Sequence, residues 1–293
     1  MKRTIRMWAL ALLLLVAPWV QAASLLTVEG VQAPAWVERD GQRQPLAAGM
    51  ALRNGDQVVT GNAARALLRL SDGSTIKLGE NGRLALADLG SQRGTTAKQL
   101  VTASLDVLAG AFRFTTTALY KFRGERDVKV KIVTVTAGIR GTDVWGKAAA
   151  DRDIVCLIEG KIAVTRGADS FTMDEPLSFF IAPKNAPALP VSRVSNEQLA
   201  QWALETEIPA GGGAARKGGA WRVLAVTHTE QDQALLALGE LRGLGFASDI
   251  RTTKTETGAT YVVRISQLAN QKDAEAVAAR IKALGFVEAK ASR

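Results

Sequence analysis

The carboxylates whose spacing could support catalysis lie in one stretch near the middle of the chain, at Asp143, Asp151, Asp153 and Glu159. A glycosidase needs two carboxyl groups about 5 to 9 Å apart, so a glycosidase that uses Glu159 and Asp143 is one hypothesis. However, Glu159 is followed by a glycine, which is typical of a hairpin turn. Asp151 and Asp153 flank an arginine just before a strand, which is typical of a solvated loop. We therefore favour a non-enzymatic protein with no catalytic residue.

Histidine and cysteine are too scarce for the common metal and nucleophilic sites. The chain has one histidine, His228, and one cysteine, Cys156. A zinc site uses three or four such ligands, and a Ser-His-Asp triad would have to use His228, which follows no nucleophile motif. We expect no metal site and no cofactor. Cys156 lies in an apolar run, which predicts a buried small side chain.

A second set of candidate residues lies in two alternating segments near the C-terminus. Successive side chains of a strand point to opposite faces. If Val223 and Ala225 face a core, their neighbours in the first segment face away from it, and the same holds for the neighbours of Val263 and Ile265 in the second. The resulting face combines two guanidinium groups with apolar surface, and it could bind an extended polymer that has flat apolar patches and anionic groups. The predicted binding residues are Arg222, Leu224, Val226, Val262, Arg264 and Ser266.

These two segments belong to an internal repeat with a period of 40 residues. Val223 and Val263, Ala234 and Ala274, and Phe246 and Phe286 all keep this offset, and a fixed period indicates one structural unit used twice. Each copy predicts a strand, an amphipathic helix ending at Leu-Gly-Phe, and a second strand, at residues 247–253 in the first copy and 287–290 in the second. The predicted order over residues 221–293 is βαββαβ, an α+β domain with one sheet, two helices on one face, and the other face open.

The preceding part of the chain has a different pattern. Residues 23–191 alternate with period two between turn dipeptides such as Asn54-Gly55 and Asp72-Gly73, which predicts an all-β domain. One apolar row per strand is predicted to lie on a common face: Ala66, Leu68 and Leu70, then Ile76 and Leu78, then Leu84 and Leu86. Residues 192–208 predict a short helix that begins after Ser195, with Gln198 completing a capping box. Residues 209–220 are rich in glycine, and we interpret them as a flexible linker that leaves the angle between the two domains free.

The N-terminal residues have the pattern of an exported protein. Residues 1–22 contain three basic residues, an apolar run and a small-x-small cleavage site, which predict a cleavable signal peptide and a periplasmic location. The run is too short for a spanning helix, so we predict no membrane span. Removing the three basic residues lowers the formal charge from +9 to +6. A moderately basic, exported protein favours anionic partners of the envelope.

Nucleic acid is a poor fit to the open face. RNA-binding sheets of this layout stack bases on exposed aromatic side chains. In this chain alternation places Trp221 and Tyr261 on the side of the sheet that faces the core. The third strand also lacks the aromatic RNA-binding signature. We therefore predict no nucleic-acid partner.

The repeat resembles the SPOR domain of bacterial envelope and division proteins. The resemblance covers residues 221–293, and it rests on Trp-x-Val-x-Ala and Tyr-Val-Val-Arg-Ile, each followed by a helical alanine and by Leu-Gly-Phe. It implies binding, through the open sheet, to peptidoglycan glycan strands that have been stripped of stem peptides. Stripping exposes the lactyl carboxylate of muramic acid, which is a good partner for a guanidinium group.

The N-terminal half resembles the FecR domain across residues 28–166. The matching motifs include the segment 52–61 (Leu-Arg-Asn-Gly-Asp-Gln-Val-Val-Thr-Gly), the segment 139–142 (Ile-Arg-Gly-Thr) and the strand 158–164. The founding members of that family relay a signal from an outer-membrane transporter to a cytoplasmic sigma factor. That role needs a membrane span and a cytoplasmic segment, whereas here only a few residues precede the apolar run of the predicted signal peptide. Regulation of a sigma factor is therefore disfavoured, and the resemblance implies a periplasmic module that contacts a protein or a ligand.

Together these patterns predict a periplasmic, non-enzymatic peptidoglycan-binding protein with an interaction module, and cell division is the process that the SPOR resemblance suggests. Two alternatives stay open. One is a wall-active glycosidase that uses the carboxylates of the β domain. The other is an envelope signalling or scaffold protein without affinity for glycan.

Overall fold

The structure is a computed structural model that describes residues 24–93, 99–117, 126–139, 141–256 and 258–293. The described part contains 22 strands and three helices. The predicted signal peptide, residues 1–22, lies outside the described residues, as does Arg140 of the predicted FecR motif. In the described part, no helix combines the length and the apolar character that crossing a membrane requires.

The N-terminal part of the described chain is built from strands alone. The first nine are β1 (Leu26–Gln32), β2 (Ala35–Arg39), β3 (Gln42–Pro45), β4 (Ala51–Leu52), β5 (Gln57–Thr60), β6 (Arg65–Leu70), β7 (Thr75–Leu78), β8 (Arg83–Arg93) and β9 (Gln99–Thr115). The next eight are β10 (Arg126–Ile132), β11 (Val135–Ile139), β12 (Asp143–Ala148), β13 (Arg152–Glu159), β14 (Ile162–Arg166), β15 (Asp169–Met173), β16 (Ser178–Pro183) and β17 (Ser192–Arg193).

These strands form two sheets that share the long strand β9. The first half of β9 pairs with β8 and, in parallel, with β10, whereas its second half pairs with β7 and β12. The predicted apolar rows are confirmed as core: Leu68 and Leu78 on one sheet and Leu84 and Leu86 on the other are all buried in one cluster. Burial of these side chains in a common core holds the two sheets face to face.

A short helix, α1 (Asn196–Leu204), follows the last of these strands. It begins as predicted, because the hydroxyl of Ser195 accepts a hydrogen bond from the backbone N–H of Gln198 at 3.2 Å. Trp202 on this helix stacks on the buried Trp145, with ring centroids 4.7 Å apart. The helix therefore belongs to the β domain rather than to the segment that follows it.

The C-terminal part combines strands with two helices. Its elements are β19 (Trp221–His228), α2 (Gln231–Gly243), β20 (Ser248–Thr255), β21 (Gly258–Leu268), α3 (Gln271–Ala283) and β22 (Lys290–Ser292). The strands pair antiparallel in the order β22, β19, β21, β20. The last strand starts later than predicted, and Val287, expected within it, is 75% exposed.

One core lies between this sheet and both helices. Val223 and Ala225 of β19 and Val263 and Ile265 of β21 are buried against residues of α2 and α3. Because side chains alternate along a strand, the neighbours of these residues fall on the side of the sheet away from the helices.

The glycine-rich segment is not the flexible linker that the sequence predicted. Residues 214–216 form a strand, β18 (Ala214–Arg216), which pairs with β1 on one side and meets Leu268 of β21 on the other. Asp273, a buried residue of α3, accepts hydrogen bonds from the backbone N–H groups of Gly213 (2.9 Å) and Ala214 (3.1 Å). The segment is therefore an ordered strand that joins the two domains.

Glycine is required in this segment for its small size and its backbone conformation. Gly213 has φ of 86°, where other residues are strained. A Cβ atom at Gly219 would lie 2.2 Å from the carbonyl oxygen of Gln267. The glycines thus allow close packing of the chain at the junction, which is the opposite of the freedom that their composition suggested.

Candidate functional site

The face of the C-terminal sheet opposite the helices holds five of the six predicted binding residues. Arg222, Leu224, Val262, Arg264 and Ser266 are all partly exposed. Leu224 lies directly across from Arg264, and Arg264 lies across from Asp249 of β20. We call this surface the open face.

Val226 does not belong to the open face. The pairing of β19 with β21 shifts between Leu224 and Val226, as in a β-bulge, so that Val226 pairs with the buried Val263. Val226 packs against the core instead. An extra residue in one strand reverses the facing of every later residue, so simple alternation assigned Val226 to the wrong side.

The bulge brings Thr227 to the place that Val226 was expected to fill. Thr227 is exposed and lies across from Val262, which lies in turn across from Arg251 of β20. Lys290 of β22 lies across from Leu224 and is also exposed. Residues directly opposite each other share one face of a sheet. Thr227, Arg251 and Lys290 are thus members of the open face that the sequence analysis missed, because finding them requires the register of four strands.

The two predicted arginines lie in different electrostatic settings. The Nε of Arg264 donates to Asp249 at 2.6 Å, and the hydroxyl of Ser266 donates to the other oxygen of the same carboxylate at 3.3 Å. Arg222 pairs through its backbone with Ser292, whereas its side chain makes no hydrogen bond or ion pair with another of the described residues. A ligand carboxylate can therefore bind Arg222 directly, whereas at Arg264 it has to share the guanidinium group with Asp249.

The open face carries an excess of positive charge. Its cations are Arg222, Arg251, Arg264 and Lys290, and Asp249 is the acid that pairs with one of them. The aromatic side chains Trp221 and Tyr261 pack against the core of the helix side. Such a face suits an anionic ligand with apolar patches better than a stack of nucleobases.

The carboxylates of the alternative glycosidase hypothesis make structural contacts. Asp143 is bound through both oxygens by Arg113, at 2.9 and 2.7 Å. Asp153 is fully buried and accepts from the N–H and the hydroxyl of Thr134. Glu159 is exposed at a strand end across from Asp143. A carboxylate held by a bidentate guanidinium serves poorly as a proton donor, so the geometry does not favour the glycosidase hypothesis.

Cys156 is buried, as predicted. Burial raises the pKa of its thiol to about 12, with a smaller contribution from the negative charge of Asp143. A thiol of this kind is unreactive because the nucleophilic thiolate is not formed. His228 ends β19 and lies across from Tyr261. Among the described residues, no group of three or more histidine, cysteine and acidic side chains is placed to hold a metal ion.

Comparison with known proteins finds two family matches within the chain. Residues 56–163 match the family model described as FecR protein, and residues 217–289 match the SPOR domain. No curated protein matches the chain.

Two crystal structures of a candidate anti-sigma factor from Parabacteroides distasonis are similar to this chain at 12% identity. One, at 1.65 Å resolution, has a TM-score of 0.41, and the match covers 69% of this chain and 96% of that one. The other, at 2.50 Å, has a TM-score of 0.39, and the match covers 78% and 90%. The family matches support an association with peptidoglycan and the cell envelope. The chain carries a FecR domain followed by a C-terminal SPOR domain.

Proposed function

We propose that this chain is a periplasmic, non-enzymatic protein that binds denuded peptidoglycan glycan strands on the open face. The observation that carries this proposal is the grouping of Arg222, Lys290 and Arg251 around the apolar side chains of Leu224 and Val262 on one exposed face of the SPOR sheet. The βαββαβ arrangement serves this function because both helices cover the other face, which leaves the open face to the ligand.

The chemistry of a denuded strand is complementary to this face. Removal of the stem peptide leaves a lactyl carboxylate on each muramic acid, and this group can accept hydrogen bonds from the guanidinium of Arg222. The flat faces of the sugar rings can lie against Leu224 and Val262. Asp249 holds Arg264 in place and reduces its free charge. Because ion pairs at an exposed surface are screened by salt, binding should weaken as the ionic strength rises.

The test is co-sedimentation of the full chain with amidase-treated sacculi. Arg222→Ala should weaken binding about tenfold, equivalent to roughly 1.4 kcal/mol, and Arg264→Ala should weaken it less because Asp249 already shares that guanidinium. The double variant should abolish sedimentation while the circular dichroism spectrum stays unchanged. Arg193→Ala is the matched control, because Arg193 is an exposed arginine on β17 of the other domain. Full binding by the double variant would refute the proposed site.

The FecR domain supplies the second part of the proposed function. We infer that it contacts an envelope protein or a ligand, since the family match is to a signalling domain. If that contact is the whole function, crosslinking in cells should capture a protein partner on the FecR domain, and the chain should fail to bind sacculi. Recruitment of the chain to the division septum, abolished by the double arginine variant, would support a role in cell division.

A further inference from the structure

A cleft with a volume of about 600 Å³ lies between the two domains. Arg43, Gln44 and Met50 of the FecR side form one wall, and Arg242, Ser248 and Ser266 of the SPOR side form the other. Pockets that bind small molecules have volumes of roughly 300 to 1,000 Å³. The cleft is thus large enough for a ligand of the size of a sugar unit.

The two domains that form the walls of the cleft are held together by several backbone and side-chain contacts. β18 is hydrogen-bonded to β1 and meets β21. The N–H of Ala35 donates to the carbonyl oxygen of Gly245 at 3.3 Å, and Arg280 donates to the carbonyl oxygen of Ala33. The cleft is therefore part of the folded structure rather than a gap between two freely moving domains.

The lining of the cleft holds a polar group that lacks a partner. Ser248 is 5% exposed, and its hydroxyl has no hydrogen-bond partner in the described structure. A buried hydroxyl without a partner is destabilising. Its oxygen is covered in the unbound structure, so a ligand hydroxyl, amide or carboxylate in the cleft would reach it after rotation of the serine side chain and would then supply the missing hydrogen bond.

The charges of the lining favour an anionic ligand. Arg43 is half exposed and stacks on Trp36, with its guanidinium carbon 3.9 Å from the ring centroid, and its Nε lies 3.9 Å from a carboxylate oxygen of Glu38. Arg242 donates to the carbonyl oxygen of Ser248 at 3.2 and 3.1 Å. Asp249 also lines the cleft, but Arg264 and Ser266 already donate to its carboxylate. The lining thus holds two guanidinium groups and one acid whose charge is already paired, and Glu38 shares Arg43 from outside the lining.

The cleft continues the open face. Asp249 and Ser266 belong to both surfaces. Arg222 precedes Val223, the partner of Ile265, so it lies at the same end of the sheet as Ser266. This end is the one that β18 joins to the FecR domain, through Leu268. A chain that lies on Leu224 and passes Arg264 toward this end therefore enters the cleft.

We propose that the cleft is a further subsite for the glycan strand that lies on the open face, so that one ligand contacts both domains. The subsite takes an N-acetylated sugar unit with a free carboxylate. The amide of Gln44 and, after rotation of its side chain, the unpaired hydroxyl of Ser248 bind its polar groups, and the exposed part of the Arg43 guanidinium, which Glu38 shares, binds its carboxylate. This inference rests on the proposed function, and it adds that the FecR domain takes part in glycan recognition.

The test measures the affinity of the full chain for denuded glycan oligosaccharides of increasing length. The wild-type chain should gain affinity when the oligosaccharide becomes long enough to extend from the open face into the cleft. Ala47→Trp, which fills the cleft from the FecR side, and Arg43→Glu, which reverses a charge there, should remove this gain and weaken binding of the long oligosaccharide about tenfold. Both should leave the affinity for the shortest oligosaccharide that binds unchanged.

Three comparisons make the result decisive. Arg193→Glu is the charge-matched control, and it should keep the gain with length. If Ala47→Trp does not fold, Ser248→Ala offers a smaller change in the same cleft, and it should also reduce the gain in affinity with length. Unchanged length dependence in Arg43→Glu and Ser248→Ala would overturn the cleft proposal while leaving the open-face site intact. Absence of binding by the wild-type chain at every length would instead overturn the proposed function, and the cleft proposal with it.

Discussion

The two copies of the 40-residue repeat have kept the same core and acquired different surfaces. Val223 and Val263 are both buried, as are Ala234 and Ala274, and Phe246 and Phe286. The polar positions differ. Helix α2 begins after Glu230 with no side-chain cap, whereas helix α3 begins after Asn270, whose side chain accepts from the N–H of Asp273. The comparison teaches that the positions shared by the two copies supply the packing, whereas positions that differ supply the contact with the FecR domain.

Each copy contributes a different contact to that junction. In the second copy Asp273 binds the backbone of the segment that leads into β18, whereas its counterpart in the first copy, Gln233, is exposed. In the first copy Gly245 lies against Trp36, and a Cβ atom there would be 2.7 Å from the ring. Its counterpart Gly285 faces open space.

The largest expected effect is that of Asp273→Ala. This change leaves the buried N–H groups of Gly213 and Ala214 without acceptors, and it should lower the free energy of unfolding by about 4 kcal/mol. Gln233→Ala, the equivalent change in the first copy, should cost less than about 0.5 kcal/mol. Urea unfolding measures both, and faster hydrogen exchange at Gly213 and Ala214 would locate the effect. Equal losses in the two variants would contradict the division of roles between the copies.

A smaller effect should separate the two glycines. Both have positive φ, 83° for Gly245 and 109° for Gly285, so alanine is strained at either position. Gly245→Ala should cost about 2 kcal/mol more than Gly285→Ala, because only the former forces a methyl group against the ring of Trp36. Thermal unfolding of the two variants measures the difference. If their midpoints agree, the contact between Gly245 and Trp36 does not stabilise the junction.

The smallest expected effect concerns the FecR domain itself. Because burial raises the pKa of Cys156 to about 12, its thiol stays protonated near pH 8. The raised pKa also means that folding favours the protonated thiol. The stability from this group is therefore present below the unfolded pKa and is lost as the pH rises through about 12. Thiol labelling at about pH 8 should be at least about a hundredfold slower in the native chain than in urea.

The same slow labelling is expected for Gly245→Ala, which disturbs the junction and not the FecR core. Rapid labelling of that variant would show that the two domains unfold together, and it would remove the distinction between the junction and the FecR core.

Periodicity predicted much of the fold, and the parts that it missed have specific causes. Alternation identified Leu68 and Leu84 as core, and the 40-residue offset identified Phe246 and Phe286. Val226 was misassigned because a bulge changes the facing of a residue without changing its type. The partner of Arg264 was missed because Asp249 meets it only through the register of β20 with β21.

The glycine-rich segment was misread for a different reason. Glycine permits disorder, tight turns and close packing alike. Its frequency in residues 209–220 therefore could not distinguish a loose coil from a strand that needs a small residue at Gly219. The close approach of the backbone of Gln267 and Leu268 to Gly219, which the structure shows, distinguishes the packed strand from the loose coil.

The strand β18 affects how this protein can be divided for experiments. Composition suggests a cut within residues 209–220, yet such a cut separates β18 from β1 or from α3, which hold it through hydrogen bonds. A FecR fragment that ends before residue 214 would have an uncovered edge along Gly30, Val31 and Gln32, and exposed edges promote self-association. A SPOR fragment that starts at residue 221 would leave the buried carboxylate of Asp273 without the N–H donors of Gly213 and Ala214. Aggregation or weak binding by such fragments would thus report the damage of the cut rather than a property of the intact protein.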